Sequence, residues 1–390
     1  MSRVHFLHNN DNKYILAIAF RCGSINENPK HAGISHLLEH MMFKANTSNR
    51  SIARLDLFFK AGAEWNAFTS KDSTIYYVSA DAVNYKSVFA ALFELLSKLD
   101  ASNSEFIKEK AVFVEELGLT SRLLPHIWFD IAHENTPYHQ SIIGTEKTLA
   151  SITLKDMIDY HATFYKDPII SVNCPSSQKG KVAKFLDKHT GTRSMVQHPV
   201  LIDMNVGRKI HSINVVKKDA HGMEKCVIGY LGFPHSSCKT ATCRLMAYIL
   251  SIRLFRELRE KRGLVYGARA TYYTHMCTGC FLISCRSNNA KCDEITDLVM
   301  KEVARLAHIT EEEYDAYKRS LETKRNVVNS HVQKTLNAIN DHLYGMRSNH
   351  DGQTFKAFKK IHASLFQKDR MLAIVKTACS KATMLKSMHL

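Results

Sequence analysis

The chain runs through one plan twice. In the first copy a helix-spaced segment, SHLLEHMMF, leads into the β-rich, glycine-led GAEWNAFTSKDSTIYYVSA; in the second, LSIRLFRELREK leads into GLVYGARATYYTHMCTGCFLISC. A sheet buries a face against helices and a helix buries a stripe against a sheet. The repeat therefore specifies an α+β fold of two homologous domains, each a mixed or antiparallel sheet with helices packed on it. The length agrees, since 390 residues exceed the roughly 100 to 200 usual for one domain. The expected junction is KHTGTRSMVQHPVLIDMNVG (188–207), weak in periodicity and rich in turn residues. Residues 1–190 and 206–390 are read as the two domains.

Only the first copy gathers chemistry-bearing side chains. GISHLLEHMMFKAN (33–46) carries His36, Glu39 and His40 within a run whose apolar residues Ile34, Leu37, Leu38, Met41, Met42 and Phe43 recur at helical spacing. Positions i and i+4 share a face, so both imidazoles aim at one point with Glu39 beside them. A metal is the economical occupant. Neutral imidazole suits Zn²⁺, whose catalytic sites take three protein ligands and leave a fourth position open. A third ligand must come from elsewhere, and SEFIKEKAVFVEELGLTS (104–121) offers Glu109, Glu115 and Glu116 on a helical pattern. Glu109 and Glu116, seven apart, lie two turns along one face, whereas Glu115 and Glu116 point about 100° apart. Ordinary solvation of an amphipathic helix would explain the same carboxylates, so spacing alone leaves the third ligand open.

Composition excludes other classes. With 45% hydrophobic and 23% charged residues and only 16 Gly and 7 Pro, the chain reads as soluble and globular, without collagen-like or long disordered tracts. No run of 18 apolar residues exists, so neither a signal peptide nor a membrane span is expected. The formal charge of +16 would suit nucleic acid, yet Lys and Arg are dispersed rather than gathered into one patch, and no nucleic-acid partner is expected. The ten cysteines lack the spacing of a disulfide scaffold, and CTGC (Cys277 to Cys280) has no second CxxC to complete a zinc ribbon. A reducing intracellular compartment, cytoplasm or a mitochondrion-type organelle, is expected, not secretion.

The order His-x-x-Glu-His, with Glu116 following 76 residues after His40, is an inverzincin signature. On these residues the chain resembles the pitrilysin/insulysin family of zinc metallopeptidases, in the branch of the mitochondrial processing peptidase β-subunit and bacterial processing-peptidase-like enzymes. IIGTEKTLASIT (142–153) and EEEYDAYKRSLE (311–322) are also similar to family text. The resemblance implies one Zn²⁺ per chain held by His36, His40 and Glu116, with Glu39 as general base and Glu109 as a supporting acid. It implies that Asn66, Ala67 and Thr69 lie on a strand edge that pairs with substrate. From the metal-free second half, Arg259 and Tyr266 are implied to face the active site across a clam-like shell. The implied activity is endoproteolysis of extended peptides such as targeting presequences, by a homodimer or a heterodimer with a related subunit. A non-catalytic paralogue that binds peptides or scaffolds a partner is the alternative.

Overall fold

The computed structural model describes residues 4–44, 50–120, 132–133, 136–190, 211–215, 224–287, 291–328, 330–344 and 354–377. The expected junction at 188–207 lies outside the described residues from 191 onward, as does most of KANTSN (44–49).

Strands β1 (Val4–Asn9), β2 (Lys13–Phe20), β3 (Glu64–Thr69), β4 (Thr74–Asp81) and β5 (Ile169–Pro175) form one sheet in the order β1-β5-β2-β4-β3. Strands β6 (His211–Val215), β7 (Glu224–Leu231), β8 (Gly267–Thr274), β9 (Gly279–Ser287) and β10 (Met371–Thr377) form a second sheet in the order β6-β10-β7-β9-β8. The two orders are one permutation. In each sheet the pair at one end, β1 with β5 and β6 with β10, is parallel, and the other pairs are antiparallel. Two α+β units of one topology therefore make up the chain. CTGC spans the end of the β8–β9 turn and the start of β9, and the nine described cysteines are unbridged.

The first sheet is buried on both faces. Helices α1 (Ile34–Met42), α2 (Arg50–Lys60), α3 (Tyr85–Ser97) and α4 (Asn103–Thr120) supply Leu37, Leu38, Phe58, Phe89 and Phe113 to a core that also takes Leu16 and Ile18 from β2. The opposite side of β2 presents Ala17 and Ala19, which join Ile75, Tyr77 and Ile169 in a second cluster. That cluster is closed by Ile339 and Leu343 of the helix His331–Leu343, which belongs to the second half. This explains why KYILAIAF is an almost unbroken apolar run rather than an alternating one: a strand covered on both faces has no polar side. The small Ala17 and Ala19 let the crossing helix approach closely.

Polar clasps fix the crossing. At one end His331 meets Asp11, and the Asn173 amide donates to the His331 carbonyl at 3.4 Å. At the other end the β3–β4 turn delivers Asp72, only 4% exposed, into the second half. Its carboxylate accepts from the Met276 N–H at 2.6 Å, the Tyr344 O–H at 2.6 Å and the Tyr138 O–H at 3.1 Å. His275 also faces this carboxylate, with its Nδ1 3.9 Å away. Burial alone would raise the Asp72 pKa, but His275, the Met276 N–H and the Tyr344 O–H outweigh it and hold the carboxyl down to about 2.

A carboxyl pKa depressed by folding adds stability above the unfolded value near pH 4, and that stability is lost as pH falls toward 2. Asp72→Asn is thus expected to cost on the order of 2 kcal/mol at pH 7. Denaturant melts at pH 7 and pH 3 check this: the gap between variant and wild type should shrink at the lower pH, and a gap independent of pH would contradict the assignment.

Candidate active site

The helix that carries His36, Glu39 and His40 is fixed at its first turn before any of them is placed. Gly33 has φ 98°, and a Cβ there would lie 2.8 Å from the Ile143 carbonyl oxygen. Gly144 is matched to it: its φ is 72°, and a Cβ would meet the Ala32 oxygen at 2.2 Å. Only glycines allow this backbone-to-backbone contact. The IIGTEKTLASIT segment is therefore the dock for α1, reinforced by the Thr148 O–H donating to the Ala32 carbonyl at 2.8 Å. The orphan N–H groups of the first turn go to Glu27, whose buried carboxylate accepts from the Gly33 N–H and the Ser35 N–H at 2.8 Å each and from the Ser35 hydroxyl. An anion at a helix N-terminus meets both the unpaired donors and the positive end of the dipole. Burial raises the Glu27 pKa, and these donors pull it back toward the charged form.

Leu37, Leu38, Met41 and Met42 turn α1 toward the core, which leaves His36 and His40 half-buried on its other side. The two rings are 4.9 Å apart, and Phe113 of α4 packs edge-on against both at 4.9 and 5.2 Å. One face of α4 then holds His40 from both nitrogens: Glu109 Oε1 lies 3.0 Å from Nδ1, and Glu116 Oε2 lies 3.4 Å from Nε2. Glu115 is exposed. Buried Glu109 is itself paired with Lys44 Nζ at 2.9 Å.

An ionised carboxylate only accepts, so Glu109 places the ring proton on Nδ1 and leaves the Nε2 lone pair toward Glu116. A protonated ring would donate to both carboxylates; with the ring neutral, the 3.4 Å gap sets the Nε2 lone pair beside a carboxylate, an arrangement that a cation would bridge. His36 adds a third donor. Burial, and then the charge of His40, lowers its pKa to about 4, so it is neutral near pH 7 and ready to ligate. Its Nδ1 is buried with no hydrogen-bond partner among the described residues. One donor atom from each of His36, His40 and Glu116 lies within 4.8 Å of the others, and the set of two neutral nitrogens and one carboxylate oxygen fits zinc.

Glu39, 7% exposed, lies beside this group. Burial raises its pKa, the hydroxyl of Thr69 and the charge of His40 lower it, and Glu116 raises it again, with a net upward direction. Thr69, Ala67 and Asn66 lie on β3, the outermost strand of its sheet among the described residues, and Thr69 reaches α1. Their side chains do not share a side: Asn66 is exposed, Ala67 is buried, and the Ala67 N–H donates to the Asn66 side-chain oxygen at 2.9 Å.

In the second half, Arg259 lies on a π-helical turn, Phe255–Glu260, that ends the helix Thr240–Leu254. Its guanidinium sits 5.0 and 5.2 Å from the rings of Phe255 and Tyr266 and donates to the Tyr266 carbonyl at 2.8 Å. Tyr266 is 62% exposed. The structure thus joins Arg259 to Tyr266. Among the described residues, it joins neither of them by hydrogen bond to His36, Glu39 or His40.

Sequence reasoning passed over Glu27, Lys44, Phe113 and the hydroxyl role of Thr69. Two were within reach of helical spacing: Lys44 follows His40 by four residues, and Phe113 falls between Glu109 and Glu116 on their shared face. Glu27 carries no local signal, because its partners belong to another element.

Comparison with known proteins agrees with this architecture. The family model described as Insulinase (Peptidase family M16) matches residues 3–146, and that described as Peptidase M16 inactive domain matches residues 151–321. A zinc protease of Rickettsia felis is 24% identical over 304 residues, 75% of this chain and 73% of that protein. Human mitochondrial-processing peptidase subunit beta is 34% identical over 153 residues, 38% of this chain and 31% of that protein. The fold matches a protease from Helicobacter pylori with a TM-score of 0.80 at 21% identity, covering 96% of each chain. Spanning most of the sequence with two models of one family, the chain belongs to the M16 peptidases, in their processing-peptidase-like branch.

Proposed function

We propose that this chain is a zinc-dependent endopeptidase that cleaves extended, unfolded peptides such as targeting presequences. The observation that carries the reading is the convergence of His36, His40 and Glu116, with buried Glu39 beside them. One zinc per chain is assigned to those three residues, with Glu109 holding His40 in the ligating tautomer. When bound, zinc supplies a Lewis acid that polarises the scissile carbonyl and acidifies water. Glu39, its pKa raised by burial, takes the proton of the attacking water and returns it to the leaving amine. Substrate adds as a further strand on the free edge of β3, read through the backbone of Asn66 and Ala67, so folded proteins are poor substrates. Tyr266, braced by Arg259, donates its hydroxyl to the developing oxyanion when the halves close on substrate.

The domains are assigned as a metal-binding unit, 1–190, and a metal-free unit of the same plan, 206–390. The human relative is named as one subunit of a larger enzyme, which supports a homodimer or a heterodimer with a related subunit here. Among the described residues no helix is long and apolar enough to cross a membrane.

Glu39→Gln is expected to retain zinc by metal analysis while losing nearly all cleavage of an unstructured peptide; full activity would exclude the mechanism. Competition with a chelator should strip zinc from Glu116→Gln well before Glu115→Gln, and the reverse order would move the ligand to Glu115. Tyr266→Phe should lower kcat by about 10² to 10³ with zinc content unchanged. Wild-type kcat in that variant would reduce the second half to a scaffold.

A further inference from the structure

The base assigned above has one anchor, and it lies on the strand expected to bind substrate. Along β3 the burial alternates so that Trp65, Ala67 and Thr69 face inward while Glu64, Asn66 and Phe68 face out. Trp65 and Ala67 pack into the core under α1 and α2. Thr69, next on that side, reaches α1, and its Oγ1 donates to Glu39 Oε2 at 2.7 Å. Among the described residues no other side chain donates a hydrogen bond to Glu39.

A glutamate terminal torsion is broad and weakly restrained, so a carboxylate in a pocket keeps a direction only if something holds one oxygen. We propose that Thr69 is a positioning residue for Glu39, its hydroxyl fixing Oε2 so that Oε1 stays directed at the point where His36, His40 and Glu116 converge. This rests on Glu39 acting as the base. It separates Thr69 from Asn66 and Ala67, with which the family resemblance grouped it as substrate-binding: those two meet the peptide, whereas Thr69 meets the base.

The test compares Thr69→Val, which keeps the shape and loses the donor, with Thr69→Ser, which keeps the donor. The probe is a quenched fluorogenic peptide of unstructured sequence, with zinc content measured in parallel. A hydrogen bond to a charged group predicts a kcat about 10- to 100-fold lower in the valine variant, with KM and zinc content unchanged and kcat largely restored in the serine variant. A valine variant with wild-type kcat beside an inactive Glu39→Gln overturns the positioning role and leaves the peptidase reading standing. A raised KM at unchanged kcat returns Thr69 to substrate binding, and lost zinc or failed rescue by serine makes its role one of packing; each overturns the proposal. If the wild-type chain cleaves no peptide, the peptidase reading fails on its own. Crystal structures of the two variants then decide the inference: a Glu39 carboxylate displaced in the valine variant and held in the serine variant supports it, and an unmoved carboxylate in both overturns it.

Discussion

Burial of the first sheet on both faces is the constraint from which the remaining geometry follows. A strand such as β2 with Leu16 and Ile18 on one side and Ala17 and Ala19 on the other must be covered twice, and the first half provides helices for one side. The second cover, with Ile339 and Leu343, arrives from more than 300 residues along the chain. Each such side chain removed from water contributes roughly 1.5 to 3 kcal/mol, a large share of the net stability of any domain. Residues 1–190 alone would therefore expose an apolar sheet face. The two halves share a plan, and the first takes part of its cover from the second.

Within that frame, the site is built by one helix face working on one imidazole. Glu109 and Glu116 are separated by the two turns needed to bracket His40, and Phe113 between them packs edge-on against both histidines. Two carboxylates so near one ring are costly unless balanced. Lys44 offsets Glu109 from outside, and His40 Nε2 faces Glu116 at 3.4 Å. The overall charge of +16 plays no part at this range. The local balance near His40 is set by named pairs, and the remaining Lys and Arg residues are spread along the chain.

Much of this was readable from sequence because it is local and periodic. The helix through His36 and His40, the shared face of Glu109 and Glu116, and the repeated hairpins all follow from periods of 3.6 and 2. What was not readable depends on contacts between distant segments. Asp72 looks like an ordinary turn aspartate in TSKDST, and nothing near it announces Met276 or Tyr344. Thr69 was grouped with Asn66 and Ala67 as one edge. Alternation along a strand puts Asn66 on one side and Thr69 on the other, so a shared edge of backbone does not mean a shared job for side chains. Arg259 and Tyr266 show the reverse: their seven-residue spacing suggested a pair, and they do touch, through a carbonyl and a stacked ring.

The constraint on the sheet and the placement of the site are connected through a short polar path. Asp72 receives Met276 and Tyr344 from the second half, and the residue before it, Lys71, is buried with its ammonium on the Gln140 carbonyl at 2.6 Å. The Gln140 side chain donates in turn to Glu27 at 3.0 Å, and Glu27 holds the first turn of α1. Asp72, Lys71 and Glu27 are ionisable groups at or below 7% exposure, and such groups tolerate little movement of their partners, since a buried charge that loses its hydrogen bonds costs far more than a surface one. Closing the back of the sheet with the helix His331–Leu343 therefore also sets the β3–β4 turn. That turn sets the depth of Glu27, and Glu27 sets the start of the helix on which His36 and His40 ride. The second half thus bears on the helix that carries His36 and His40 through backbone and buried charge.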